Sequence, residues 1–411
     1  MARHGAVMAG SGLAVNFFSY LYQLAMGALL PPVQYGILFT FTSLLVIVSV
    51  FSQSISATVA RLTSQLRINR SLGQVNYLWR WSLRRTIYLG MASFAILVGL
   101  SPLICRFLRI GNQSYAIILF SSLAVAFVLS ASWGTLQGLQ RFWALGSSQT
   151  LHAASKLLLG VLFVSLGLGV GGGLAAIPLS FLLAFGLSIF SLRDLNRVVS
   201  RKTDVEGLAA YAGLAALAIL GITILVNGDM LLAKHYLGHE DAGTYSAVAV
   251  LGRIAFYAPW GITWALFPKT AEAQQSGAST SRPFLRALLL TALMAGAVVS
   301  LFALFPETVM RLLFGDEYLG GAPYLFRYSL GMAALAVSFL VVSYALSLGR
   351  TAVVYSALLA AALQVSLMVV FHARLGQLVD VVLASGLASL VLMAPFCFTG
   401  KRRVQCKQPS L

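Results

Sequence analysis

GAVMAGSGLAVNFFSYLYQLAMGALLPPVQYGILFTFTSLLVIVSVFSQSISATVA, residues 5–60, contains no Asp, Glu, Lys or Arg. One helical membrane crossing takes about 20 apolar residues, so this stretch holds two crossings and a turn. Pro31-Pro32 interrupts it near the middle, where the turn belongs. Residues 157–192 are equally free of charge, and Gly169 with the triplet Gly171-Gly172-Gly173 marks their break. The apolar runs are continuous and do not alternate with a period of two. In lipid only helices and closed barrels satisfy every backbone group, so the runs read as helices.

Composition extends that reading to the whole chain. Of 411 residues, 59% are hydrophobic and 9% are charged, and the mean hydropathy is +0.87. Soluble domains carry about 25% charged residues, so the apolar excess faces lipid. Crossings are expected near 8–30, 36–60, 86–105, 115–136, 148–168, 174–192, 208–233, 243–267, 287–306, 323–347, 352–371 and 379–399. The residues left over are spread thinly between them, which excludes a catalytic domain hidden in a loop. Cys105, Cys397 and Cys406 are too scattered for a disulfide framework or a metal site. Met1-Ala2-Arg3-His4 leads straight into a run of crossing length, which reads as a first span and not as a cleaved signal.

The net charge of +17 is a matter of topology. With the N-terminus inside, the inner segments carry twenty of the 28 Lys and Arg residues, including Arg61, Arg80, Arg84, Arg141, Arg193, Arg201, Lys269, Arg350 and Arg402. The outer segments carry Arg106, Arg109, Arg311, Arg327 and Arg374. The positive-inside rule then expects both termini in the cytoplasm and the chain in the inner membrane. Nucleic acid is not an expected partner, whereas anionic lipid head groups are.

The chain also reads as duplicated. Gln34-Tyr35-Gly36 opens the second crossing and Ala242-Gly243-Thr244-Tyr245 opens the eighth. Each leads through a long helix to a basic residue, Arg61 or Lys269, and then to the longest inner connection of its half. The expected fold class is all-α integral membrane, with about twelve helices in two six-helix lobes related by a parallel pseudo-repeat. Residues 1–200 form the first lobe, 201–400 the second, and 401–411 a basic cytoplasmic tail.

Ionisable groups inside crossings are costly and mark function. Lys156 lies about 13 Å deep at about 1.5 Å per residue, and Arg253 is similarly deep in the other half. As functional groups they offer a positive lining for an anionic substrate; as structural ones they pair with a neighbouring helix. Asp229, after Asn227-Gly228, reads as a proton or cation site or as a partner of Lys156 or Arg253. Lys234 is expected to snorkel outward. Asn16, Tyr20, Gln23 and Gly27 share one helix face. Ser49, Gln53 and Ser56 do so on the next helix, where a helix–helix seam is the preferred reading. His152 and Lys156 share a face with Gln149 and Gly160, and Tyr257, Trp260 and Trp264 follow Arg253. His152 titrates near neutrality when solvated. No Walker loop, His-Glu-x-x-His or Cys-x-x-Cys occurs, and Asp316-Glu317 has no His nearby, so neither an enzyme nor a cofactor or metal is expected.

Several motifs carry a family resemblance that spans most of the chain. They are Leu29-Leu30-Pro31-Pro32-Val33-Gln34-Tyr35-Gly36, Leu136-Gln137-Gly138-Leu139-Gln140-Arg141-Phe142, and Asn227-Gly228-Asp229-Met230-Leu231-Leu232-Ala233-Lys234 followed by Leu251-Gly252-Arg253. In order and spacing they resemble polysaccharide-biosynthesis flippases, the O-antigen flippase group of the multidrug, oligosaccharidyl-lipid and polysaccharide exporter superfamily. The resemblance implies a flippase that moves a sugar chain on a polyprenyl pyrophosphate lipid from the cytoplasmic to the outer leaflet. It implies two lobes around a V-shaped cavity and possible coupling to a proton or sodium gradient. The expected cavity residues are Arg253, Lys156, Asn16, Tyr20, Gln23, Tyr257 and Trp260, with Asp229 and His152 as candidates for ion coupling. The family's usual basic residue before the first outer turn is missing, since Gly27-Ala28 stand there. The alternative is a drug or small-molecule exporter of the same superfamily. Those often use acidic groups in the first lobe, and no Asp or Glu lies in crossings one to six here. A membrane-embedded glycosyltransferase is a third reading, but the longest outer stretch, about 306–323, is short for its catalytic loop.

Overall fold

A computed structural model of the chain describes residues 2–68, 71–202, 209–263, 266, 270 and 279–398. Among these residues the regular structure is all helical. The first half holds α1 (Ala2–Leu29), α2 (Pro32–Ile68), α3 (Leu72–Phe107), α4 (Gln113–Gly138), α5 (Phe142–Phe163) and α6 (Gly169–Ser191). The second holds α7 (Ala209–Tyr236), α8 (His239–Gly252), its continuation α9 (Ile254–Tyr257), α10 (Ser281–Leu304), the short α11 (Pro306–Phe314), α12 (Ala322–Ser347), α13 (Val353–Val370) and α14 (Leu375–Met393). Nine helical stretches among the described residues are long and apolar enough to cross a membrane, with α5 and α6 counted as one 50-residue stretch. Separating that pair, and adding α1 and the α8–α9 helix, gives the expected twelve.

The turns follow the sequence with two corrections. Pro32 opens α2, where its fixed φ suits a first helical position and its missing N–H costs nothing. Between α5 and α6 the chain reverses at Gly167 and Gly169, both at positive φ (87° and 51°). The glycine triplet expected to share that turn instead lies inside α6. There a Cβ on Gly173 would fall 2.4 Å from Leu38 Cδ1, so the triplet serves close packing. The long inner connection expected over residues 61–85 is also absent. α2 runs on to Ile68 and α3 starts at Leu72, so these helices have 37 and 36 residues. At about 1.5 Å per residue each spans about 54 Å, well beyond a hydrocarbon core of about 30 Å.

The packing order repeats between the halves. In the first, α1 packs on α5, α2 on α4, α3 on α4, α4 on α6 and α5 on α6. In the second, α7 packs on α13, α8 on α12, α10 on α12, α12 on α14 and α13 on α14, the same order in register. Equivalent helix ends match as well. α4 ends with Gln140 at φ +58° and Arg141 N–H donating to the Leu136 carbonyl, 2.9 Å. α12 ends with Gly349 at φ +73° and Arg350 N–H donating to the Ala345 carbonyl, 2.9 Å. Both are left-handed helix caps that satisfy carbonyls the helix leaves open. Each following arginine then reaches the end of its lobe: Arg141 donates to the Ser191 carbonyl at the end of α6 and Arg350 to the Phe396 carbonyl just beyond α14, both at 2.8 Å. The motif Leu139-Gln140-Arg141 thus recurs as Leu348-Gly349-Arg350. Two lobes joined as a parallel repeat give the molecule its architecture.

Candidate functional site

The lobes meet chiefly where α2 packs on α7 and α8. The membrane face where α1 begins is here called the terminal face, and the one holding the α1–α2 turn the distal face. The distal end of the interface is sealed backbone to backbone. A Cβ on Gly36 would lie 3.2 Å from Gly243, and one on Gly243 would lie 2.3 Å from the Pro32 carbonyl oxygen. Only glycine permits that approach. Around it Tyr318 donates to the Leu30 carbonyl (3.2 Å), and Tyr35 packs against the Phe314 and Tyr318 rings at 5.6 and 6.2 Å. Gly27 faces the Phe314 ring, which a Cβ there would enter at 2.3 Å. His235 of α7 donates from Nδ1 to the Phe107 carbonyl at the end of α3 (2.6 Å) and stacks on that ring at 4.2 Å.

Below the seal lies a buried polar cluster. α8 breaks at Arg253, whose guanidinium donates to Asp229 (2.8 Å), Asn227 (3.2 Å) and, across the interface, Ser43 of α2 (3.3 Å). It also lies 4.8 Å over the Phe39 ring of α2. The second Asp229 oxygen accepts from Tyr245 (2.8 Å) and Tyr328 (2.6 Å). Asp229 is fully buried and Arg253 is 5% exposed. A buried charge of this kind persists when it is paired and its remaining sites are hydrogen-bonded. Of the alternatives drawn from the sequence for Arg253, the structure shows the paired one, with Asp229 as its partner. Three donors in all occupy the Asp229 carboxylate.

The α1 stripe grades from open to sealed. Asn16 is exposed, Tyr20 and Gln23 are half-buried, and Gly27 lies under Phe314. The Tyr20 hydroxyl, Gln23 Oε1, the Tyr35 hydroxyl and Arg253 Nε are buried without hydrogen-bond partners among the described residues. Orphaned buried polar atoms are costly and point to water or a ligand. On α2, Gln53 is exposed and donates to Ser49 (3.2 Å). Ser56 lies in the α4 seam, its carbonyl 2.5 Å from a Cβ placed on Gly134, so the stripe divides between an exposed position and a seam. Tyr257 and Trp260 stack at 4.9 Å beside Phe256 and Phe339. Trp264, Lys269 and the 401–411 tail lie outside the described residues.

Lys156 and Arg253 are not brought together. Lys156 sits in the seam of α5 and α1, half-buried, with its ammonium 5.0 Å over the Tyr22 ring. It has no ion pair among the described residues. Tyr22 is fixed by donating to the Gly173 carbonyl of α6 (2.8 Å). His152, one turn away, bonds Ser180 (3.0 Å) and stacks on Phe181 (4.0 Å). It is packed inside the first lobe, not solvated at a membrane surface as its position implied. Lys234 does not snorkel either. It is 1% exposed and donates to His239 Nδ1 at 3.0 Å. The sequence reading missed Tyr245 and Tyr328 as carboxylate partners. Tyr245 stood in the quoted Ala242–Tyr245 motif; Tyr328, on α12, carried no signal.

Two repeated helical lobes meeting at a polar interface that is sealed at one membrane face define a polytopic membrane protein of two-lobed transporter fold. Solved transporter structures share that fold at 15–16% identity. An inward-facing multidrug resistance MATE family transporter matches with TM-score 0.77 and 16% identity, covering 92% of this chain and 93% of that one. An outward-facing structure under the same description matches with TM-score 0.66 and 15% identity, over 95% and 93%. The lipid II flippase MurJ, in an inward closed conformation, matches with TM-score 0.68 and 15% identity, over 94% and 86%. No protein-family profile and no curated sequence matches the chain.

Proposed function

We propose that this chain is a flippase: it carries a lipid-linked oligosaccharide, borne on polyprenyl pyrophosphate, from the cytoplasmic to the outer leaflet of the inner membrane. It is a transporter and not an enzyme. One observation carries the choice of an anionic substrate. Residues 1–193 contain no Asp or Glu, so the half-buried charge of Lys156 has no carboxylate in its own lobe up to Asp194. A phosphorylated head group supplies the missing countercharge, and a bare anion crossing lipid needs one. The tail stays in the bilayer. An apolar groove of about 400 Å³, bounded by Leu21, Leu24, Ala25, Leu157, Leu312 and Leu313, opens on that side.

Arg253 serves this reading in a second role. Asp229 competes with any phosphate for the guanidinium, so capture at Arg253 requires Asp229 to let go. We place coupling to a proton or sodium gradient at that release. With the distal face closed, the site loads from the terminal face, which we place in the cytoplasm with both termini.

The Tyr257–Trp260 stack favours a second reading, a drug exporter, because flat aromatic faces suit planar organic cations. A host lacking this chain separates the two. Wild type is expected to restore surface glycan without altering drug tolerance. Lys156→Ala is expected to lose at least nine-tenths of that glycan at unchanged membrane abundance. A change in drug tolerance with no effect on glycan selects the exporter, and full glycan export by the Lys156→Ala variant removes the lysine from the site.

A further inference from the structure

We propose that α3 carries a binding site for an anionic phospholipid, separate from the interface between the lobes. A groove of about 410 Å³ on its outer surface is bounded by Arg80, Leu83, Arg84, Ile87 and Tyr88. These positions are i, i+3, i+4, i+7 and i+8, one face of one helix. The face is arranged as a lipid is. Two guanidinium groups, one turn apart, stand at the end nearer the terminal face, and an aliphatic and aromatic wall follows. Farther along α3, Met91, Ile96 and Leu103 are each more than 60% exposed, a surface for acyl chains.

The head of the groove is built. Arg80 Nε donates to Asn76 Oδ1 (3.1 Å), and Asn76 Nδ2 donates to the Val198 carbonyl (2.7 Å) in the segment after α6. That segment is held in turn by Arg201 N–H donating to the Gly73 carbonyl (3.0 Å). Arg85 covers Trp81, its guanidinium carbon 5.4 Å from the ring, on the neighbouring face. Arg84 is exposed and makes no hydrogen bond or ion pair among the described residues. With no Asp or Glu before residue 194, nothing in the first lobe's sequence up to that point competes for it.

The length of α3 fixes the depth. Its 36 residues span about 54 Å, against about 30 Å of hydrocarbon. Arginines in its first half, and Tyr88 directly after, therefore fall at the level of phosphates and glycerol esters, where Tyr is favoured. Arginine forks hold phosphate oxygens by two parallel hydrogen bonds. A zwitterionic head group brings its own ammonium to the site and gains less.

The test uses the full chain in detergent with equal amounts of phosphatidylglycerol and phosphatidylcholine, read by native mass spectrometry. Wild type is expected to retain phosphatidylglycerol at least threefold over phosphatidylcholine. Arg80→Gln with Arg84→Gln is expected to remove that preference, while Arg374→Gln, at the distal face, preserves it. Arg84→Gln alone, at an exposed side chain, is expected to at least halve the preference and serves if the double variant does not fold. Excess inorganic phosphate is expected to leave the adduct in place. Equal retention of both lipids by wild type, or an undiminished preference in the Arg84→Gln variant, overturns the site. Surface-glycan export does not enter this readout, so the lipid site stands or falls independently of the transport reading.

Discussion

At the scale of single residues, the Arg253–Asp229 pair is a stability element whatever the function of the chain. Both groups are buried, and the carboxylate accepts three hydrogen bonds. Removing one partner leaves a charge without compensation, at a cost of about 3–5 kcal/mol. Asp229→Asn and Arg253→Gln are each expected to lower the thermal midpoint in detergent markedly. The double change Asp229→Leu with Arg253→Met removes both charges and is expected to recover most of the loss. If the double variant melts as low as the sum of the singles, the pair is not coupled as the geometry shows. Sequence alone made Asp229 and Arg253 stand out, because an ionised group in an apolar run is conspicuous. It could not say that they meet, since they are 24 residues apart on different helices. Nor could it find Tyr328, a tyrosine among apolar neighbours like many others. Gly36 and Gly243 were legible as a repeat but not as a contact, because a glycine in sequence does not reveal which backbone it admits.

Among the elements, the α4–α5 turn was legible in its residues and hidden in its mechanism. Arg141 donates in bidentate fashion to Asp194, with one bond at 2.8 Å, and also to the end of α6, so one side chain ties three helices together. The hydrogen bond from Arg141 holds the Asp194 carboxyl below the ordinary carboxylate range. A depressed folded-state pKa contributes stability above the unfolded value of about 3.9 and loses it as pH falls through the folded value. Asp194 is 58% exposed, so solvent limits the contribution to about 1 kcal/mol or less. Asp194→Asn is expected to lower the midpoint slightly at pH 7, and the gap to wild type is expected to close as pH falls below about 4. A gap that persists at low pH assigns the effect to packing, not to the ion pair. The long connection expected at residues 61–85 failed for a related reason. Charge ends a membrane crossing, but it does not end a helix, and Arg and Lys are good helix formers. Hydropathy therefore marked where lipid stops while α2 and α3 ran on through the head groups.

For the whole molecule, the repeat and the one-sided seal make a prediction that needs no substrate. Near the distal face the lobes touch backbone to backbone at Gly36 and Gly243, and Gly27 is covered by Phe314. Toward the terminal face, Asn16 and Gln53 are exposed on α1 and α2. An interface closed near the distal face and exposed toward the terminal face is expected to admit solutes from one side. In a background with Cys105, Cys397 and Cys406 replaced, single cysteines at Asn16 and Gln53 are expected to react with a membrane-impermeant maleimide. A cysteine at Tyr35, whose native ring is fully buried in the distal seal, is expected to resist it. With the termini in the cytoplasm, the first two label in inside-out vesicles and not in right-side-out ones. Labelling from the opposite side reverses the orientation drawn from the Lys and Arg distribution, while labelling of all three positions from both sides removes the seal. Alternating access adds one further expectation. A ligand or pH change that favours the opposite state must expose the Tyr35 position and protect the Gln53 position together, because the same two rigid lobes carry both. Independent changes at the two positions would mean that the lobes do not move as units.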